Sequence, residues 1–147
     1  FRTLKTQARL YDAYYKELRE EHEDWSDEQV KESVQIFVSF PSHDPSCPAP
    51  HNTGAAVDLT IIDGDGKELD FGTPFDEFTE RAYTDHFANS DEENAAKIHN
   101  NRELLIEIME EAGFLNYPEE WWHFSFGDQA WAAAKNLNEA IYGSKEL

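Results

Sequence analysis

Two short stretches carry residue types suited to metal-assisted hydrolysis. The first runs from Pro50 to Thr60 and holds His51 and Asp58; the second runs from Glu119 to Phe124 and holds Glu120 and His123. Asp58 lies within an apolar, β-prone run, where an ionised carboxylate is costly unless it is paired or binds a metal. His51, Asp58 and His123 together offer two imidazoles and one carboxylate, a donor set suited to Zn²⁺ with a fourth position left to water. Glu120 is then a further carboxylate beside the metal. That is the arrangement of a hydrolase in which the metal acidifies water and an acid shuttles its proton. Each residue alone also has a plainer reading, since a lone histidine or strand aspartate is more often a satisfied structural group. Spacing supports proximity only for His51 and Asp58, and His123 has to be brought alongside by the tertiary fold. An extended 119–124 segment would place Glu120 and Trp122 opposite Trp121 and His123, unless a twist or bulge intervenes. Trp121 and Trp122 read as a dry pocket wall or, more simply, as part of an aromatic core strand.

The elements that must position these groups follow from periodicity. Leu4, Leu10, Tyr11, Tyr14, Tyr15 and Leu18 fall near helical spacing, which predicts an opening helix. Ser26 followed by Gln29 is a capping-box pattern, so a second helix starts near Asp27 and turns Val30, Val34 and Phe37 inward. Pro41, Pro45, Pro48 and Pro50 make 40–50 an ordered loop. It feeds a buried strand over Ala55–Ile62, and Asp63-Gly64-Asp65-Gly66 turns the chain into a second strand, Lys67–Phe71. That acidic turn resembles a calcium loop only superficially, lacking the later ligands and terminal Glu of an EF-hand. Asp91–Ala112 reads as a long helix with Ile98, Leu104, Leu105, Ile108 and Met109 inward and Gly113 at its end. A strand within Phe114–Phe126 and a helix over Asp128–Tyr142 complete an α+β fold in a single domain, 1–147.

Composition removes several function classes. Twelve Lys+Arg against 31 Asp+Glu give a formal net charge of −19, a field that repels phosphate backbones and argues against nucleic-acid binding. The acidic run from Glu20 to Asp27 reads as a solvated helix face rather than a cation site. Apolar residues make up 39% of the chain and include ten Phe, six Tyr and four Trp, enough for a core and against wholesale disorder. The one cysteine, Cys47, has no partner for an intrachain disulfide. No apolar run approaches the ~18 residues of a membrane span. No export signal is visible, although a chain opening at Phe1 rather than Met leaves its natural start open.

The motifs become specific when taken together. His51-Asn52-Thr53-Gly54-Ala55-Ala56-Val57-Asp58-Leu59-Thr60, followed by Glu120-Trp121-Trp122-His123, resembles the zinc-dependent D-alanyl-D-alanine dipeptidases of the hedgehog/D,D-peptidase superfamily. The likeness continues through Gly66-Lys67-Glu68-Leu69, Phe71-Gly72-Thr73-Pro74-Phe75-Asp76 and the helix from Asn100 to Phe114, with Phe1-Arg2-Thr3-Leu4 resembling the end of an arginine-bearing segment. It covers nearly the whole chain. Departures are Ala49, where many members carry Ser, and Thr3, where Pro usually follows the arginine.

The resemblance implies a small antiparallel sheet carrying one zinc per chain, packed by helices. It implies His51, Asp58 and His123 as zinc ligands, Glu120 as catalytic base, Arg2 as the cation stabilising the oxyanion, and Asp76 as the acid holding the substrate's ammonium group. The expected substrate is a small D-Ala-D-Ala-type dipeptide, and the expected location is cytoplasmic, or periplasmic if an N-terminal part of the family domain precedes Phe1. D,D-carboxypeptidase or L,D-endopeptidase activity on longer wall peptides is the nearest alternative, and a non-catalytic hedgehog-like zinc module the next. The oligomeric state is left open.

Overall fold

The computed structural model describes residues 1–145. Helices α1 (Leu4–Glu21), α2 (Asp27–Phe37) and the one-turn α3 (Pro50–Thr53) precede strand β1 (Ala56–Asp58). A 3₁₀ turn (Glu80–Ala82), α4 (Ala95–Glu111), β2 (Leu115–Tyr117), β3 (Glu120–Ser125) and α5 (Gln129–Ala134) follow. The architecture is α+β, as the sequence predicts. The chain divides into two compact units, Phe1–Ala56 together with the segment from Gly127 onward, and Val57–Phe126.

In the first unit α1 is capped by Thr3, whose side chain accepts from the Thr6 N–H. It buries Gln7, Tyr11, Tyr14 and Leu18 while Leu10 stays exposed. α2 has the full capping box: Ser26 N donates to Gln29 Oε1 at 2.9 Å and Gln29 N to Ser26 Oγ at 3.2 Å. Val30 and Val34 are buried, and Phe37 meets Tyr14 edge-on at 6.4 Å. Pro50 does not simply end the proline loop. It opens α3 in the first helical turn, where a missing N–H is harmless and its fixed φ fits the helix. α5 is far shorter than the expected Asp128–Tyr142 helix. Asn136, at φ 56°, ends it with Asn136 N donating to Ala133 O at 3.0 Å and Leu137 N to Ala132 O at 2.9 Å, a Schellman closure.

In the second unit β3 lies between β1 and β2 in a three-stranded sheet and pairs antiparallel with β2. The expected buried strand over 55–62 shrinks to the three residues of β1, with Val57 37% and Ile62 64% exposed. The expected second strand, Lys67–Phe71, is reduced to one bridge between Ile62 and Glu68. The turn still closes as a short hairpin: Asp63 N donates to Lys67 O at 2.8 Å and Leu69 N to Ile61 O at 2.9 Å, while Asp63 Oδ1 accepts from the N–H groups of Asp65 and Lys67.

Helix α4 begins at Ala95 rather than near Asp91, because its N-cap Asn94 is left-handed at φ 67°, which a continuous α-helix does not admit; Glu92, ahead of it, pairs with Arg81 at 2.9 and 3.1 Å. Its end is as expected, with Gly113 at φ 91° and Phe114 N donating to Met109 O at 3.0 Å. Ile98, Leu105 and Met109 face inward, but Leu104 is 43% and Ile108 49% exposed. The position one turn after Ile98 on the buried stripe belongs to Arg102.

The Arg102 guanidinium is fully buried and binds main-chain oxygens. Nε and Nη2 donate to Phe71 O at 2.9 and 2.5 Å, Nη2 also to Arg81 O at 2.9 Å, and Nη1 to Tyr83 O at 2.6 Å. Burial pulls its pKa down to about 10, which leaves it charged at neutral pH. Arg102 thus clasps both ends of the loop 71–81. Arg102→Leu is expected to lower unfolding free energy by more than about 3 kcal/mol, because several buried carbonyls lose a charged donor together. The urea midpoint measures it.

Candidate metal centre

His51 is the second residue of α3. The turn around it is closed by Thr53, whose Oγ1 donates to Pro50 O at 2.6 Å and accepts from Ala55 N at 3.0 Å. Gly54 at φ 77° then redirects the chain into β1, whose last residue is Asp58. The main chain of Arg2 is sewn to the same segment: Arg2 N donates to His51 O at 3.0 Å, and the buried Asn52 side chain donates to Arg2 O. Arg2 Nη1 donates to Gln7 Oε1 at 3.1 Å, while Gln7 Nε2 donates to Ser39 O at 2.6 Å. A buried glutamine one turn into α1 therefore orients the arginine. Sequence reasoning passed over it, because a polar residue on a helix reads as solvated.

His123 lies in the buried strand β3. Its Nδ1 is 3.1 Å from Asp58 Oδ1 and 3.4 Å from Glu120 Oε2. The Asp58 side chain is 25% exposed, so its carboxylate keeps part of its hydration while facing an imidazole. One ligand atom each from His51, Asp58 and His123 lie within 4.8 Å of one another. Two imidazole nitrogens and a carboxylate oxygen gathered in this way are a donor set that could hold a metal ion. The three donors expected from the sequence are together, and Glu120 adjoins His123.

Strict alternation would have separated Glu120 from His123. The β2–β3 register runs Leu115 with Ser125 and Asn116 with Phe124, then jumps to Tyr117 with Glu120. The bulge leaves Trp121–His123 outside the pairing with β2 and breaks the alternation, while Trp122 O still accepts from Leu59 N beside β1 at 3.1 Å. Both tryptophans are buried: Trp121 stacks on Phe71 at 4.2 Å and donates from Nε1 to Thr73 Oγ1 at 2.8 Å, so the core reading holds for them. The Tyr117 ring meets His123 edge-on at 5.8 Å, and burial together with Glu119 and Glu120 raises its hydroxyl pKa well above the ordinary value.

Asp76 is an exposed loop residue at φ 56°, a left-handed conformation that Asp tolerates better than most side chains. Its neighbour Phe75 packs on both tryptophans, 5.4 Å from Trp121 and 6.0 Å from Trp122. The loop carrying Asp76 is thereby tied to the strand that bears His123.

An α+β fold with a His–Asp–His donor set and an adjoining glutamate makes this a candidate metal centre. The family described as D-ala-D-ala dipeptidase matches residues 16–142. Five of the six expected site residues lie inside that span and Arg2 lies ahead of it. A D-alanyl-D-alanine dipeptidase of Synechocystis sp. is 41% identical over 81% of this chain and 53% of its own length. Those of Escherichia coli (strain K12) and Enterococcus faecium are each 41% identical over 54% of this chain, and over 39% and 37% of their own lengths. The chain belongs to the D-ala-D-ala dipeptidase family, and it spans about half the length of the first of these relatives and less of the others.

Proposed function

We propose that this chain carries a zinc dipeptidase centre that hydrolyses D-alanyl-D-alanine-type dipeptides to free amino acids. The carrying observation is the convergence of His51, Asp58 and His123 within 4.8 Å, with Glu120 Oε2 3.4 Å from His123 Nδ1. Family membership and the names of the relatives support the substrate class. His51, Asp58 and His123 would hold the metal, and zinc there would supply Lewis acidity toward a water and the scissile carbonyl. Glu120 takes the proton from the attacking water and returns it to the departing amine. The Arg2 guanidinium offsets negative charge as it develops on the carbonyl oxygen. Asp76 pairs with the substrate's ammonium group, which favours a free dipeptide over an extended peptide.

The test is hydrolysis of D-Ala-D-Ala beside a tripeptide ending in D-Ala-D-Ala, with and without chelator. Release of D-alanine from the dipeptide that chelator abolishes and zinc restores is expected. Cleavage of the tripeptide alone would move the assignment to a carboxypeptidase, and cleavage of neither to a non-catalytic zinc module. Asp76→Ala is expected to raise KM for the free dipeptide by about tenfold, the weight of one charge-assisted hydrogen bond. An N-acetylated dipeptide, which lacks the ammonium group, should show no such change. Equal effects on both would remove Asp76 from amine recognition.

A further inference from the structure

We infer that Asn116 is a positioning residue that sets Glu120 and His123 relative to one another through their main-chain carbonyls. The inference rests on the roles proposed above for those two residues. Asn116 is the β2 residue at which the register breaks. Its Nδ2 donates to Glu120 O at 3.2 Å and to His123 O at 3.1 Å, one amide hydrogen for each end of the bulge. The amide orientation is fixed from the other side, since Thr84 Oγ1 shares a hydrogen bond with Asn116 Oδ1 at 2.7 Å. A carboxamide oxygen can only accept, so the threonine hydroxyl donates and the nitrogen must face the two carbonyls. Thr84 is buried, and its own N–H donates to Pro118 O at 2.8 Å, tying the network to the turn between β2 and β3.

This arrangement has a consequence for chemistry. Trp121 and Trp122 lie between the two carbonyls that Asn116 clasps, so the clasp fixes how far the bulge is opened. That span sets where the Glu120 carboxylate stands beside the His123 imidazole. No other side chain of this length supplies two donors and one acceptor: Asp cannot donate, Ser has one hydrogen, and Leu has none. Misplacement of a catalytic group by about 1 Å costs on the order of a hundredfold in rate.

Asn116→Leu removes the clasp without adding charge, and Thr84→Val removes only the hydroxyl that orients it. Folding is checked by circular dichroism, zinc affinity by competition with a chelator, and kcat and KM with D-Ala-D-Ala. For Asn116→Leu, kcat and zinc affinity are each expected to fall about 10- to 100-fold, as for other outer-shell supports of a metal site, with KM within about threefold of the parent. Thr84→Val should move both in the same direction by less. A folded Asn116→Leu protein that loses thermal stability yet keeps parental kcat and zinc affinity overturns the inference. If Asn116→Leu does not fold, Thr84→Val decides by the same readouts, and parental values there overturn it. A parent that cleaves no D-Ala-D-Ala sinks the functional reading, and a fall in zinc affinity in either variant then still supports the clasp.

Discussion

Glu120→Gln is expected to retain one zinc per chain and to lose about a thousandfold in kcat on D-Ala-D-Ala, the middle of the range for removing a general base. The substitution preserves shape and hydrogen-bonding length. The ligand atoms of His51, Asp58 and His123 are untouched, so metal content should follow the parent. What disappears is a carboxylate oxygen 3.4 Å from His123 Nδ1. An amide can donate there but cannot accept a proton from water. Because the side chain is buried, the water proton has no easy route to bulk base, which is why the expected loss lies well above tenfold. KM should change little, since the role proposed for this carboxylate is toward the water rather than the substrate's termini. Zinc by elemental analysis and kcat from single-substrate kinetics check both halves. A variant keeping more than about a tenth of the parental kcat would contradict the base assignment.

How much of this could be read from the chain depends on how local each cause is. The capping box of Ser26 and Gln29 was legible because all its partners lie within one turn of helix. Gly113 was legible as a helix end for the same reason, whereas Asn136 does the same work and was missed, since asparagine enters left-handed backbone without announcing it. The inward stripe of α4 was misread at Leu104 and Ile108. Leucine and isoleucine there are as apolar as their buried neighbours, and the core position taken by Arg102 is decided by carbonyls of a loop some twenty to thirty residues earlier in the chain. At the site, His51 and Asp58 are brought close by a one-turn helix and a glycine, both local devices. His123 could be joined to them only through motif resemblance. The alternation rule placed Glu120 across the strand from His123, and the bulge that overrides it hangs on Asn116, a side chain from the facing strand.

Removal of a ligand should give the opposite pattern to removal of the base. Asp58→Asn and His123→Ala are expected to leave the protein with far less than one zinc after dialysis, with affinity lowered more than about a hundredfold, beyond the range seen for outer-shell changes. Asp58→Asn is the cleaner of the two. It keeps the side-chain volume but deletes the only negative charge in the donor set, and the remaining amide oxygen is a weak ligand for zinc. His123→Ala also opens a hole in the buried strand, so its thermal stability has to be recorded alongside. Activity in Asp58→Asn should fall with metal occupancy and recover in part at high added zinc, which Glu120→Gln should not do. The two variants thus separate holding the metal from moving the proton. If the metal serves the proposed chemistry rather than folding, the chelated parent should keep its secondary structure while losing turnover. Full zinc occupancy in dialysed Asp58→Asn would show that the metal sits elsewhere. In that case the 3.1 Å contact of Asp58 with His123 is an ordinary carboxylate–imidazole contact on the end of an edge strand.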